Sequence, residues 1–284
     1  MLMFIAHIIE FLFWLVIGFS FLHTFLTHFI LWVELRLLSL QPDSKSTIPW
    51  QALAKSFVIE FLCLIVYCIT FPFRYWEFQT KIPATDIKAP PILLIHGYLH
   101  HQVAWFWFIR LLRKKQPVGP IYMINLFPAF SSIAKLAEQV KEKVEAIQSE
   151  TDASQVILIG HSMGGLVASY FCEYLAKPKQ VARIITLGSP FKGTWSAALA
   201  YGQNGREMAP QSPFLVELLD KIHHTAVPYF SVASKIDNLV IPWQSALINE
   251  DIPNHNLIFE DYGHLRLLFS PVVVNQIVEW IAEL

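Results

Sequence analysis

The sequence predicts an α/β domain, with a mostly parallel central sheet flanked by helices, preceded by an N-terminal transmembrane helix or helical hairpin. Three observations carry this. Short apolar runs alternate with stretches of helical periodicity from residue 91 onward. One junction between such a run and a helix carries Gly-x-Ser-x-Gly. Residues 11–33 contain no Asp, Glu, Lys or Arg.

The charge-free stretch is long enough to cross the ~30 Å hydrocarbon core of a bilayer as a helix. Glu10 and Glu34 bracket it. It is apolar on all sides, unlike the striped helix of a soluble core. The first residues hold neither the basic segment nor the small-residue cleavage site of a signal peptide. Residues 57–73 form a second apolar run, which reads as a second span, an interfacial helix or a half-buried element. The polar residues 39–49 would turn the chain between the two. Glu60 interrupts the second run early. It is expected about one turn from the membrane edge, within reach of headgroups, in a structural role. His7, His23 and His28 read as neutral, hydrogen-bonded groups. The last two are five apart and share no helix face, as a metal pair would. Arg36, Lys45 and Lys55 balance Arg74, Lys81 and Lys88, so flanking charge favours neither orientation.

Composition bounds the rest. The 284 residues are 54% hydrophobic and 15% charged, against about 25% charged in an ordinary soluble domain. The formal net charge is -1 and no basic stripe is present, so nucleic acid is not an expected partner. Cys63, Cys68 and Cys172 have no zinc spacing, and an odd count argues against a disulfide framework. No metal or other cofactor is expected.

Residues 83–91 hold three prolines and read as a linker. The membrane-anchoring region is therefore drawn as 1–82 and the folded domain as 83–284. Strands are expected at 91–95, 121–126, 155–159, 181–187, 227–233 and 256–259. Helices are expected at 131–148, 163–176 and 272–282, the first from apolar positions 133, 136, 137, 140, 144 and 147. Alternating strands and helices imply a parallel sheet covered on both faces. Ligand sites in such sheets form beyond the carboxyl ends of the strands.

The strand ending at Ile159 runs into Gly160-His161-Ser162-Met163-Gly164-Gly165 and then a helix. This strand–turn–helix setting is what a nucleophilic serine requires: a sharp turn with minimal side chains on either side. Serine is a weak nucleophile and needs a base. His264 follows the last expected strand and is the expected base. His255 starts a strand, and His223 and His224 end a helical stretch. Asp237 follows an earlier strand and would accept from His264. Asp261, three residues from the base, is its competitor. The oxyanion needs two amide donors. Met163, after the nucleophile, and Tyr98, in His96-Gly97-Tyr98 after the first strand, are the candidates. His96 is read as holding its loop by hydrogen bonds.

These motifs resemble the bacterial lipases and esterases of the α/β-hydrolase superfamily. The resemblance rests on His96-Gly97-Tyr98, Gly160 to Gly165, Gly188-Ser189-Pro190-Phe191-Lys192-Gly193-Thr194, Asp237 and Gly263-His264. It covers about residues 91–284. Many relatives carry histidine where Phe191 stands. The resemblance implies an α/β-hydrolase fold and a carboxylic ester hydrolase using Ser162, His264 and Asp237. Residues 193–226 would be a cap or lid over an acyl groove. The anchor adds a bilayer as partner and a lipid ester as substrate. It implies an integral membrane location, by likeness to bacterial enzymes the inner membrane. The four adjacent aromatics 105–108 point around a helix, so at least one should face outward. An acyltransferase or thioesterase on the same fold, or a non-catalytic membrane scaffold, are the alternatives.

Overall fold

The computed structural model describes residues 2–40, 48–73, 89–115, 119–248 and 255–283. Two long helices come first: α1, Leu2–Ser39, and α2, Trp50–Thr70. The centre of the turn expected at 39–49 and most of the linker expected at 83–91 lie outside the described residues.

Six parallel strands follow: β1 Ile92–Ile95, β2 Ile121–Ile124, β3 Val156–His161, β4 Val181–Leu187, β5 Tyr229–Ser234 and β6 Asn256–Phe259. Their spatial order is β2-β1-β3-β4-β5-β6. Every pairing is parallel. All six stand at or within two residues of the expected runs. The central strands are buried on both faces, which is why they read as unbroken apolar runs.

Alternation along each strand divides the core into two layers. Leu93, Ile95, Val156 and Leu158 face one side. There they meet α4, Ile133–Thr151, and α5, Met163–Tyr170. Ile92, Leu94, Ile157 and Ile159 face the other, against α3, Phe106–Leu112, and α8, Pro271–Ala282. The six apolar positions that predicted α4 are its buried stripe. The Ser132 hydroxyl caps it by accepting from the Lys135 amide. The helix expected at 163–176 passes from α5 into a π-helical turn at Phe171–Leu175. Residues 193–226 contain α6, Gly202–Glu207, and α7, Pro213–His223. Of the aromatic quartet, Trp105 and Phe108 are fully buried, whereas Phe106 and Trp107 are exposed.

α1 and α2 invert the usual amphipathic pattern. The buried positions of α1 are Ser20, Thr24, Thr27, His28 and Leu31, which share one face and are mostly polar. Phe4, Phe11, Trp14 and Phe19 are exposed, and no described residue of α1 before Ser20 is buried. The buried stripe of α2 is Ser56, Glu60 and Leu64. His28 Nδ1 donates to the Thr24 carbonyl at 2.9 Å, and its Nε2 lies 3.3 Å from the Ser56 hydroxyl. Both helices are long and apolar enough to cross a membrane. Yet α2 meets the sheet domain along its whole length, at Lys55, Glu60 and Tyr67. One face of it, Ser56, Glu60 and Leu64, is buried there.

Candidate active site

β3 ends at His161 and α5 begins at Met163, so Ser162 alone makes the corner. Its backbone sits at φ 56°, ψ -129°, outside the regions favoured by side-chain-bearing residues. The crowding explains the glycines. A Cβ on Gly160 would lie 2.4 Å from the Gly165 nitrogen, and one on Gly164 would lie 2.2 Å from the Ile95 carbonyl oxygen. The Ser162 amide donates to the Leu187 carbonyl at 2.8 Å, anchoring the corner to β4.

The residue after Leu187 is Gly188, at φ +56°. A Cβ there would lie 3.0 Å from Asp237 Oδ2 and 3.1 Å from His264 Nδ1. One backbone corner thus borders Ser162 on one side and the Asp237–His264 pair on the other. His264 Nδ1–H donates to Asp237, 2.8 Å to Oδ2 and 3.0 Å to Oδ1. Both side chains are 1% exposed. Asp237 Oδ1 also accepts the amides of Leu239 and Val240, each at 2.8 Å. The carboxylate is held by backbone on one side and holds the ring on the other. Burial would lower the pKa of His264, but the charge and hydrogen bond of Asp237, with Glu60 adding to them, raise it above the ordinary value.

Two further histidine rings adjoin His264. His161 packs against His264 with centroids 4.6 Å apart, and its Nε2–H donates to the His264 carbonyl at 3.3 Å. His100 stacks on His161 at 5.6 Å. Burial holds both rings well below the ordinary histidine pKa. His96 does what its sequence position suggests. Its Nδ1–H donates to the Gly97 carbonyl and its Nε2 accepts the Leu126 amide, at 2.9 and 3.0 Å. Burial lowers its pKa to about 4.

The loop carrying Tyr98 passes close to the serine: a Cβ on Gly97 would lie 2.8 Å from Ser162 Cβ. Tyr98 is tied to the 193–226 segment, its hydroxyl donating to the Tyr201 carbonyl and accepting the Tyr201 amide, both at 2.8 Å. Asn204 on α6 reaches Met163 Sδ at 3.3 Å. This segment therefore contacts the side chains of Tyr98 and Met163. Trp195, Leu199 and Tyr201 are exposed on it, while Leu215, Leu218 and Ile222 on α7 pack into the core. Phe191 is fully buried.

The remaining candidates are elsewhere. Asp261 pairs with Lys55 at 3.0 Å and Arg266 at 3.5 Å on the surface, not with His264. His255 donates to the Tyr229 carbonyl and stacks on Phe230. His224 donates to the Asp220 carbonyl at the end of α7.

Glu60 turns inward, against the sheet domain. The residue is 2% exposed. The carboxylate accepts the amides of Leu265 and Arg266, both at 2.9 Å. From α1, Thr27 accepts from Asn238 at 2.9 Å, and Asn238 in turn accepts the His264 amide at 3.1 Å. Sequence reading missed Glu60, Thr27, Asn238, His161 and His100. The signal present was a lone carboxyl in an apolar run, together with polar residues spaced to one helix face. An apolar cavity of about 350 Å³ lies between α2 and the site loops, bordered by Val66, Tyr67, His100, Trp107, Leu265 and Leu268.

A family model described as alpha/beta hydrolase fold matches residues 90–222. Over 110 residues the chain is 29% identical to a triacylglycerol lipase of Pseudarthrobacter phenanthrenivorans, covering 37% of this chain and 34% of that protein. The chain spans about a third of the length of the first curated relatives it matches. Among solved structures, lipase B of Aspergillus fumigatus superposes with a TM-score of 0.61 at 21% identity, covering 71% of this chain and 55% of that one. The mature form of Bacillus licheniformis lipase BlEst2 gives 0.59 at 18% identity, covering 72% and 94%. At such identities the likeness is one of fold. The family match over residues 90–222, the parallel six-stranded sheet and these superpositions together show the α/β-hydrolase fold.

Proposed function

We propose that this chain is a membrane-associated serine hydrolase that cleaves carboxylic esters of lipids. Ser162 attacks the acyl carbonyl while His264 Nε2 takes the hydroxyl proton. Asp237 holds the ring with Nδ1 protonated and stabilises the imidazolium. The Met163 and Tyr98 amides receive the oxyanion. His264 then gives that proton to the departing alcohol as the ester C–O bond breaks, and water activated by the same histidine releases the acyl group from Ser162 as the free acid. The observation that carries this reading is the buried Asp237–His264 pair beside the strained Ser162 corner.

Membrane association is supported by the exposed aromatic surface of α1. The half of α1 before Ser20 is the anchor, and α2 lies in the interface against the hydrolase domain. Both helices pack on loops beyond β1, β5 and β6, the side of the sheet that carries Ser162. The site thereby faces bilayer lipids. The apolar cavity between α2 and those loops is the acyl-chain site in this reading.

The test is hydrolysis of p-nitrophenyl esters from acetate to palmitate by the detergent-solubilised full chain and by Ser162→Ala. Serine-dependent turnover that favours long chains is expected. Equal turnover by the two proteins, or none by either, overturns the reading. Val66→Trp, which fills the cavity, should shift the preference to short chains.

A further inference from the structure

We propose that Glu60, carried on α2, is a positioning residue for His264: it fixes the segment that presents the base, and so builds the membrane-associated helix into the catalytic site. The proposal rests on the roles assigned above to Ser162, His264 and Asp237.

The geometry is specific to a carboxylate. Leu265 N–H donates to Oε2 and Arg266 N–H to Oε1, each at 2.9 Å. These are the two amides that follow His264, and they open a 3-10 turn at Leu265–Phe269. Amides at the start of a helical turn have no acceptor within it. Two equivalent oxygens match two adjacent donors. A glutamine at 60 would offer one oxygen and turn its NH2 group towards the other N–H. The His264 amide is satisfied by Asn238, so side chains hold three successive donors. Gly263 completes the fit, since a Cβ there would lie 2.3 Å from Glu60 Cγ and 2.5 Å from Oε1.

Charge adds to position. The ionisable groups that act on Glu60 are His264 and Asp237 of the site. Cys63 on the same helix feels both Glu60 and Arg266. Burial pushes the Glu60 pKa up to about 7 against the pull of the two amides, and in its ionised form Glu60 adds to Asp237 in favouring the imidazolium that forms during turnover. Removing it lowers the ring's affinity for a proton.

The experiment uses the full chain in detergent micelles. His264 is titrated by NMR in wild type and Glu60→Gln, with its signal assigned by its loss in His264→Asn. Amide exchange at Leu265 and Arg266 is followed in the same samples. Glu60→Gln is expected to titrate at lower pH, exchange these amides faster, and lose about 10- to 100-fold in kcat with KM nearly unchanged. A packing role alone would leave the titration where it is. Should Glu60→Gln fail to fold, Gly263→Ala displaces the retained carboxylate and is expected to speed the same two amides. Unchanged titration and exchange overturn the proposal, whatever the turnover. A shifted titration in a protein without Ser162-dependent turnover upholds the positioning role and overturns the ester-hydrolase reading instead.

Discussion

A side chain held at φ 56°, ψ -129° costs about 1–3 kcal/mol, and Ser162 sits there because the strand–helix corner leaves no other setting. Ser162→Gly is therefore expected to raise the unfolding free energy by about 1 kcal/mol while abolishing turnover. Chemical denaturation and an ester assay on the same sample check both halves. At His264 the sign of the pH effect is fixed by its role. The neutral ring is the base in the proposed mechanism, and its pKa is raised in the folded protein. Protonation thus persists to higher pH than in a free histidine. kcat/KM should rise with pH and reach half its plateau above ~6.5, as a pH–rate profile would show. Asp237→Asn removes both the charge and the acceptor that select the Nδ1–H tautomer. Its kcat should fall on the order of 10⁴-fold with little change in fold.

At the scale of elements, the strands and α4 were legible because each obeys one local rule. Buried parallel strands are short apolar runs, and α4 has an apolar stripe on a polar helix with a serine cap. Ser162, Asp237 and His264 were legible for a related reason. Each follows a strand, and a parallel sheet gathers the residues after its strands at one edge. Glu60 was not legible in the same way. Its partner Leu265 lies 205 positions away, and a hydropathy window reports how apolar a helix is, not which way one carboxyl points. His161 and His100 escaped for another reason: they sit at unspecified positions beside the motifs, and their contacts are made by tertiary stacking. Sequence did expose the crowding around the elbow. Gly160→Ala would place a methyl 2.4 Å from the Gly165 nitrogen. It should destabilise the fold by roughly 1–3 kcal/mol, as overpacking does, and disable turnover through the displaced serine. A lowered Tm together with lost fluorophosphonate labelling would show this.

At the scale of the whole molecule, the N-terminal helices and the sheet domain share polar contacts, not only apolar ones. Thr27 holds Asn238, Lys55 pairs with Asp261, and Tyr67 donates to the Leu99 carbonyl. An anchor that only localises an enzyme would be dispensable for a water-soluble substrate. Here, removal of residues 1–73 takes away Thr27 and Glu60 together. The truncated chain is expected to be inactive even on p-nitrophenyl acetate, with the loss visible against intact protein at equal concentration. The buried stripe Ser56, Glu60 and Leu64 has a further consequence, one of rotational phase. Each helical residue turns the chain by about 100°. A single leucine inserted between Phe57 and Val58 would leave the hydropathy of α2 almost unchanged. It would also swing Glu60 away from Gly263 relative to the Lys55 end of the helix. A chimera carrying another protein's membrane helix would face the same demand: it must keep a carboxylate in step with residues 263–266, which no matching of length or apolar content secures.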